Sequence, residues 1–94
     1  MRKLPNRYGP GTKVSVGTSA VLASAHKAQK LTTLIQADKA NAQLIYVGGT
    51  SAVTTAAGFG ELAAGESLTL EGAAAVYVIA GGASQNVRVL EGFN

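Results

Sequence analysis

The segment Ser67-Leu68-Thr69-Leu70-Glu71 alternates polar and apolar side chains, and this alternation decides the fold class. Because successive side chains of a β-strand point to opposite faces, Leu68 and Leu70 should face a core while their neighbours meet water. The same period of two returns along Asn86 to Glu91, and turns that contain glycine separate such runs. The pattern predicts an all-β chain of short strands.

Further strands are predicted from β-branched and apolar runs at 13–16, 20–23, 31–37, 43–47 and 74–80. Segments 43–47 and 74–80 are apolar on both faces, which is typical of central strands. The connections are too short for parallel crossovers, and 81–84 is expected to be a hairpin loop. Six to eight strands without a helix predict an antiparallel β-sandwich or a small jelly-roll-like barrel.

Residues 24–30 fit a helical turn as well as they fit a loop. Lys27 and Lys30 fall in this segment, and two lysines so close together favour an exposed surface. The neighbouring His26 is therefore expected to be an ordinary surface histidine.

The chain divides into an extended N-terminal arm, residues 1–12, and a single domain, residues 13–94. The arm contains Pro5 and Pro10, which disfavour a helix. The net charge of +3 comes from the N-terminal 13 residues, which hold four basic residues and no acid. A protein partner suits this arm better than nucleic acid, because the prolines extend a segment that can thread over a neighbour. A disordered tail with no specific role is the second alternative. The candidate binding residues of the arm are Arg2, Lys3, Leu4, Arg7 and Tyr8.

The composition leaves few groups for chemistry, since the 94 residues include no Cys, no Trp and one His. Ser24, His26 and Asp38 supply the residue types of a hydrolytic triad, but no nucleophile motif surrounds Ser24. Three of the four glutamates considered as paired carboxylates adjoin turns; the four are Glu61, Glu66, Glu71 and Glu91. We therefore expect no catalytic residues, no cofactor and no metal site, and a protein that is not an enzyme.

A polar, glycine-bearing stretch from 50 to 60 is predicted to be a long surface loop with an edge strand. Its candidate binding residues, expected to be exposed, are Thr50, Ser51, Val53, Thr54 and Phe59. Carbohydrate sites use exposed aromatic rings, and this loop offers only Phe59. Tyr46 and Tyr77 are expected to be buried in strands.

A domain of this size buries about 60 to 65% of the surface that its unfolded chain exposes, so its stability alone should be modest. Association with further copies would bury more apolar surface. No apolar run is long enough to cross a bilayer, and the N-terminus lacks a signal-peptide core. We expect synthesis in the cytoplasm and no membrane partner.

Four segments, taken in order, resemble a group of small virion proteins of tailed bacteriophages. They are Thr32-Thr33-Leu34-Ile35-Gln36, Ile45-Tyr46-Val47-Gly48-Gly49, Leu62-Ala63-Ala64-Gly65-Glu66-Ser67 and Val87-Arg88-Val89-Leu90-Glu91. The resemblance covers about residues 13 to 91, and its motifs consist of strand and turn residues.

This resemblance, together with the short chain, implies a capsid decoration (cement) protein. Such a protein would sit as a homotrimer on the capsid surface and bridge subunits of the major capsid protein. The alternative is a receptor- or carbohydrate-binding module of a phage head or tail fibre, and a head-completion or tail-tube component is a third reading.

Overall fold

The computed structural model describes residues 4–94, and this part of the chain is all-β, without a helix. Nine strands are present: β1 (Arg7–Tyr8), β2 (Thr12–Val16), β3 (Val21–Ser24), β4 (Lys30–Ala37), β5 (Ile45–Gly48), β6 (Gly60–Leu62), β7 (Ser67–Glu71), β8 (Val76–Ala80) and β9 (Gln85–Phe93). The predicted all-β class is confirmed. The strand count exceeds the predicted six to eight because β1 and β6, with two and three residues, are too short to show an alternation.

The strands form two antiparallel sheets packed face to face. The five-stranded sheet has the order β1-β9-β4-β7, and β2 also pairs with β9; the four-stranded sheet has the order β3-β8-β5-β6. The predicted hairpin at 81–84 is wrong, because β8 and β9 lie in different sheets. Each of these two strands is central in its own sheet, so the loop between them passes from one sheet to the other.

The core lies between the sheets and consists mainly of branched aliphatic side chains. Its residues include Val16, Ile35, Ile45, Val47, Val78, Val87 and Val89. In β7, Leu68 and Leu70 pack against this core while Ser67, Thr69 and Glu71 are exposed. The alternation that predicted this strand is therefore confirmed.

The described part of the predicted arm runs antiparallel beside the last residues of β9. Arg7 pairs with Phe93 and Tyr8 pairs with Gly92, and the Gly9 N–H donates to the Glu91 carbonyl at 2.9 Å. Through β1, this part of the arm therefore joins the five-stranded sheet. The arm candidates Arg2 and Lys3 lie outside the described residues.

Candidate functional site

The outer face of the five-stranded sheet carries the arm and is the candidate site. Three rows of side chains cross this face, each set by the register of β4 with its two neighbours. They join Thr32 with Glu71 and Gly92, Leu34 with Thr69 and Leu90, and Gln36 with Ser67 and Arg88. The middle row is the most apolar of the three.

An open groove of about 310 Å³ lies where the arm meets this face. Its floor comes from the sheet, and its wall comes from Leu4, Pro5 and Tyr8 of the arm; the floor residues are Thr32, Leu34, Thr69, Glu71 and Leu90. Leu4 and Tyr8 are 64% and 63% exposed. Large apolar groups left in water beside an apolar groove are typical of a surface that binds a partner.

Arg7 lies on the opposite side of the arm from Leu4 and Tyr8. Its guanidinium stands 5.2 Å from the centre of the Phe93 ring and donates to Gln29 Oε1 at 3.3 Å and to the Asn94 carbonyl at 3.4 Å. Neighbouring residues of a strand face opposite sides, so Arg7 and Tyr8 cannot both line the groove. The structure therefore separates Arg7 from the other described arm candidates.

A basic region lies next to the groove on the same face of the five-stranded sheet. Lys13 pairs with Arg88 in register, and Arg88 lines a second depression together with Lys39 and Asp38. The Lys13 ammonium lies 3.4 Å from the Asp38 carboxylate. A backbone N–H from Ala40, followed by the charges of Lys13 and Arg88, lowers the pKa of Asp38. Three cations around one carboxylate leave this end of the face positive.

The predicted exposed loop is confirmed as a loop, with a correction at Val53. Thr50, Ser51, Thr54 and Phe59 are exposed, and Phe59 is 61% exposed, but Val53 is only 6% exposed. An added Cβ on Gly48 would come within 2.6 Å of Val53, which shows how closely this side chain lies against β5. Val53 therefore anchors the loop and does not present a binding surface.

Tyr46 lies beside this loop on the outer face of the four-stranded sheet. A depression of about 180 Å³ is lined by Tyr46, by the loop residues 54–58, and by Gly60 and Glu61 of β6. The expectation that Tyr46 and Tyr77 are buried is wrong, since both are partly exposed. Both strands present their aliphatic alternate residues to the core, and this turns the tyrosines outward.

The residues considered as a hydrolytic triad do not come together. Ser24 donates to Glu91 Oε2, Asp38 pairs with Lys13, and His26 is exposed. The prediction for His26 is confirmed. Ser24 is instead part of a polar cluster that bridges the two sheets.

The bridging cluster centres on Lys30, which is 1% exposed. Its Nζ donates to Ser24 Oγ at 2.7 Å and to the carbonyls of Ala25 and Ala74, each at 2.9 Å. The expectation that Lys30 is exposed is wrong, because the strand begins at this residue and a shift in register turns its side chain into the sandwich. Burial lowers the pKa of this ammonium.

Glu91 supplies the negative charge of this cluster. Its carboxylate accepts from Ser24 and from Lys27 Nζ at 2.7 Å. Partial burial alone would raise the pKa of Glu91, but the hydrogen bonds from Lys27 and Ser24 and the charges of Lys27 and Lys30 lower it. The cluster is built to hold the sheets together, and the low exposure of Ser24 leaves little room for a substrate.

Within residues 4–94, no group of three or more metal-binding side chains comes together. In the same part of the chain, no helix is long and apolar enough to span a membrane.

No protein-family model and no curated protein matches this chain. Among solved structures, its fold is similar to the stem and receptor binding domain of the spike protein P1 from bacteriophage PM2, with a TM-score of 0.64 and 11% sequence identity. The match covers 89% of this chain and 32% of that chain, so the protein spans about a third of the spike chain's length. At this identity the likeness shows a shared β-sandwich fold.

Proposed function

We propose that this protein is a non-enzymatic structural protein of a bacteriophage virion, which decorates the capsid surface and bridges subunits of the major capsid protein. The likeness to a domain of a phage spike protein and the resemblance of four sequence segments to small phage virion proteins both support a virion role. The observation that carries the docking role is the groove between the arm and the five-stranded sheet. It combines a floor centred on Leu34 and Leu90 with the exposed side chains of Leu4 and Tyr8.

Docking through this groove would supply burial that the isolated domain lacks. Covering a large apolar side chain such as Leu4 or Tyr8 contributes about 1.5 to 3 kcal/mol. A protein that binds the assembled capsid but not its separate subunits stabilises the capsid by mass action. Each occupied site adds to this stabilisation. A trimer with three such grooves would hold several capsid subunits at once.

The test is binding to expanded capsids that lack this protein, measured by cosedimentation and followed by cryo-electron microscopy. Saturable binding at regular positions on the outer shell is expected. The double substitution Leu4→Ala with Tyr8→Ala should weaken binding at least tenfold, since it removes two apolar groups worth about 1.5 to 3 kcal/mol each.

Leu22→Ala is the matched control, because Leu22 is 46% exposed on the other sheet. Its binding should equal that of the unchanged protein. Point substitutions are sharper than deletion of residues 1–10, which would also remove the hydrogen bonds of β1 to β9. Absence of capsid binding, or equal loss in the Leu22 control, would contradict the docking role.

A second candidate function is receptor or carbohydrate binding at the depression beside Tyr46. The partly exposed ring, the hydroxyls of Thr54 and Thr55 and the carboxylate of Glu61 form a shallow polar site with one aromatic wall. Sugars bind such sites by stacking on the ring and by hydrogen bonds. Glycan-array binding that Tyr46→Ala abolishes and Tyr77→Ala preserves would establish this function.

A further inference from the structure

The groove borders the basic region of the same sheet face. Arg88 lies two residues from Leu90 on β9, and both side chains project from the outer face. Two residues along a strand span roughly 6.5 to 7 Å. An apolar binding site and a cationic site are thus held at a fixed spacing on one strand.

Arg88 is the cation of this region that lies on β9 itself, in line with Leu90. The Lys13 ammonium is paired with Asp38 at 3.4 Å, whereas Arg88 is exposed and acts on Asp38 through its charge alone. Its neighbours across the sheet are Gln36 and Lys13. A guanidinium presents a planar fork of donors, which matches a carboxylate in a bidentate arrangement.

We propose, building on the docking role described above, that the groove binds an extended protein segment in which an apolar side chain and a carboxylate lie two positions apart. The apolar side chain would rest on Leu34 and Leu90, and the carboxylate would meet Arg88. An extended segment has the required spacing, because its alternate side chains project to the same side. The hydroxyls of Thr32 and Thr69 on the groove floor supply hydrogen-bonding groups for its backbone.

Charge complementarity favours a protein segment over nucleic acid. The basic side chains lie at one end of this face, and among the described residues none of them lines the groove itself. The groove floor includes two leucines, and one ring, that of Tyr8, stands at its wall. Single-stranded nucleic acid is instead bound by successive aromatic rings within a continuous basic groove.

The test uses the full chain labelled with nitrogen-15 and titrated with capped peptides in nuclear magnetic resonance experiments, which detect weak binding. The probe is Ser-Glu-Thr-Leu-Thr-Glu-Ser, which places a carboxylate two positions from leucine in both directions. Amide signals of Leu34, Arg88 and Leu90 should shift. Replacing both glutamates by lysine, or the leucine by serine, should weaken binding about tenfold, as expected for loss of one charge-assisted hydrogen bond or one apolar contact.

The protein variant Arg88→Gln should lose the preference for glutamate over lysine while still binding through leucine. Ser19→Glu is the matched control, since it lowers the net charge equally at an exposed turn and should keep the preference.

Three outcomes would overturn the inference. They are equal binding of the glutamate and lysine peptides, absence of peptide binding by a protein that still binds capsids, and displacement of the peptide by single-stranded oligothymidylate at physiological salt. The second outcome leaves the docking role intact, whereas loss of capsid binding removes that role itself.

Discussion

The Nζ atom of Lys30 lies 2.7 Å from the Ser24 hydroxyl and donates a hydrogen bond to it across the two sheets of the sandwich. Lys30 begins β4 in the five-stranded sheet, and Ser24 ends β3 in the four-stranded sheet. Three acceptors around one buried ammonium use all of its donor capacity. This contact fixes how the two sheets meet at that end.

Replacing Lys30 with methionine should lower the free energy of unfolding by about 3 to 5 kcal/mol, the usual effect of removing one partner from a buried charged cluster. The change leaves the Ser24 hydroxyl and two carbonyls without their donor. Urea denaturation monitored by circular dichroism measures the loss. Lys27→Met is the control, because the Lys27 side chain is 46% exposed and its ion pair should contribute about 0 to 1 kcal/mol. Similar losses in both variants would contradict a special role for Lys30.

Stability should fall in acid through Glu91. The pKa of Glu91 is lowered in the folded protein from an ordinary value of 4.5, so the unfolded chain binds more protons between the two values. The stabilising contribution is therefore complete above about pH 4.5 and disappears as the pH falls through the folded pKa.

Glu91→Gln tests this assignment when the free energy of unfolding is measured from pH 7 down to pH 2.5. The substitution should destabilise the protein at neutral pH, and the difference from the unchanged protein should shrink as the medium becomes acidic. A difference that stays constant over the whole range would show that Glu91 does not carry this acid sensitivity.

Gln85→Ala should destabilise the protein by about 1 to 3 kcal/mol, since backbone donors lose their acceptor. The Gln85 side chain is 6% exposed, and its Oε1 accepts from the N–H groups of Ala42 and Gln43 at 2.8 and 3.1 Å. Thermal and urea unfolding measure the effect. Gln29→Ala alters an exposed glutamine and should change stability by less than about 0.5 kcal/mol. Equal stability of the two variants would refute the proposed role of Gln85.

Gly92→Ala should displace the arm without unfolding the domain. An added Cβ would come within 2.7 Å of the Pro5 ring and 2.5 Å of Thr32 Oγ1, so Pro5 must move. Hydrogen exchange should become faster at the Asn6 and Gly9 amides, which bond to carbonyls of β9, and should stay slow in β4. Gly11→Ala, which meets nothing within 4 Å, should leave all these rates unchanged. Unaltered exchange at Asn6 in the Gly92 variant would show that Pro5 can give way without releasing the arm.

Gly58→Ala should destabilise the loop after β5. The new Cβ would lie 2.5 Å from the Val47 carbonyl oxygen, a backbone atom that cannot rotate away. We expect a loss of about 1 to 3 kcal/mol, the usual cost of overpacking. Gly60→Ala has open space around it and serves as the control in the same unfolding measurement. A loop that tolerates both changes equally would mean that the backbone near Val47 adjusts.

Period-two patterns predicted much of the fold because they depend only on neighbouring residues. β7 and β9 were predictable in this way, since burial of one face imposes a polar and apolar alternation. No such pattern in the sequence indicates the two-residue strand β1 or the burial of Lys30. Their positions depend on β9 and on the opposite sheet, which are distant along the chain.

The candidate site was predictable only in part. The charge and the prolines of the arm predicted a binding segment, and Leu4 and Tyr8 of that arm line the groove. Arg7 belongs to the same arm, but its side chain faces Phe93. Arg88, which no sequence pattern indicated, lies next to the groove on the sheet. Register between strands decides such neighbours.

Local periodicity is enough to predict the all-β class, the main strands and the inward face of most of them, because burial of one strand face requires an apolar residue at every second position. The pairing of the strands, the change of sheet between β8 and β9 and the position of the arm along β9 become visible only in the folded chain. These features depend on contacts between residues far apart in the chain. The groove beside Leu34 and the buried ammonium of Lys30 exist only once those contacts have formed.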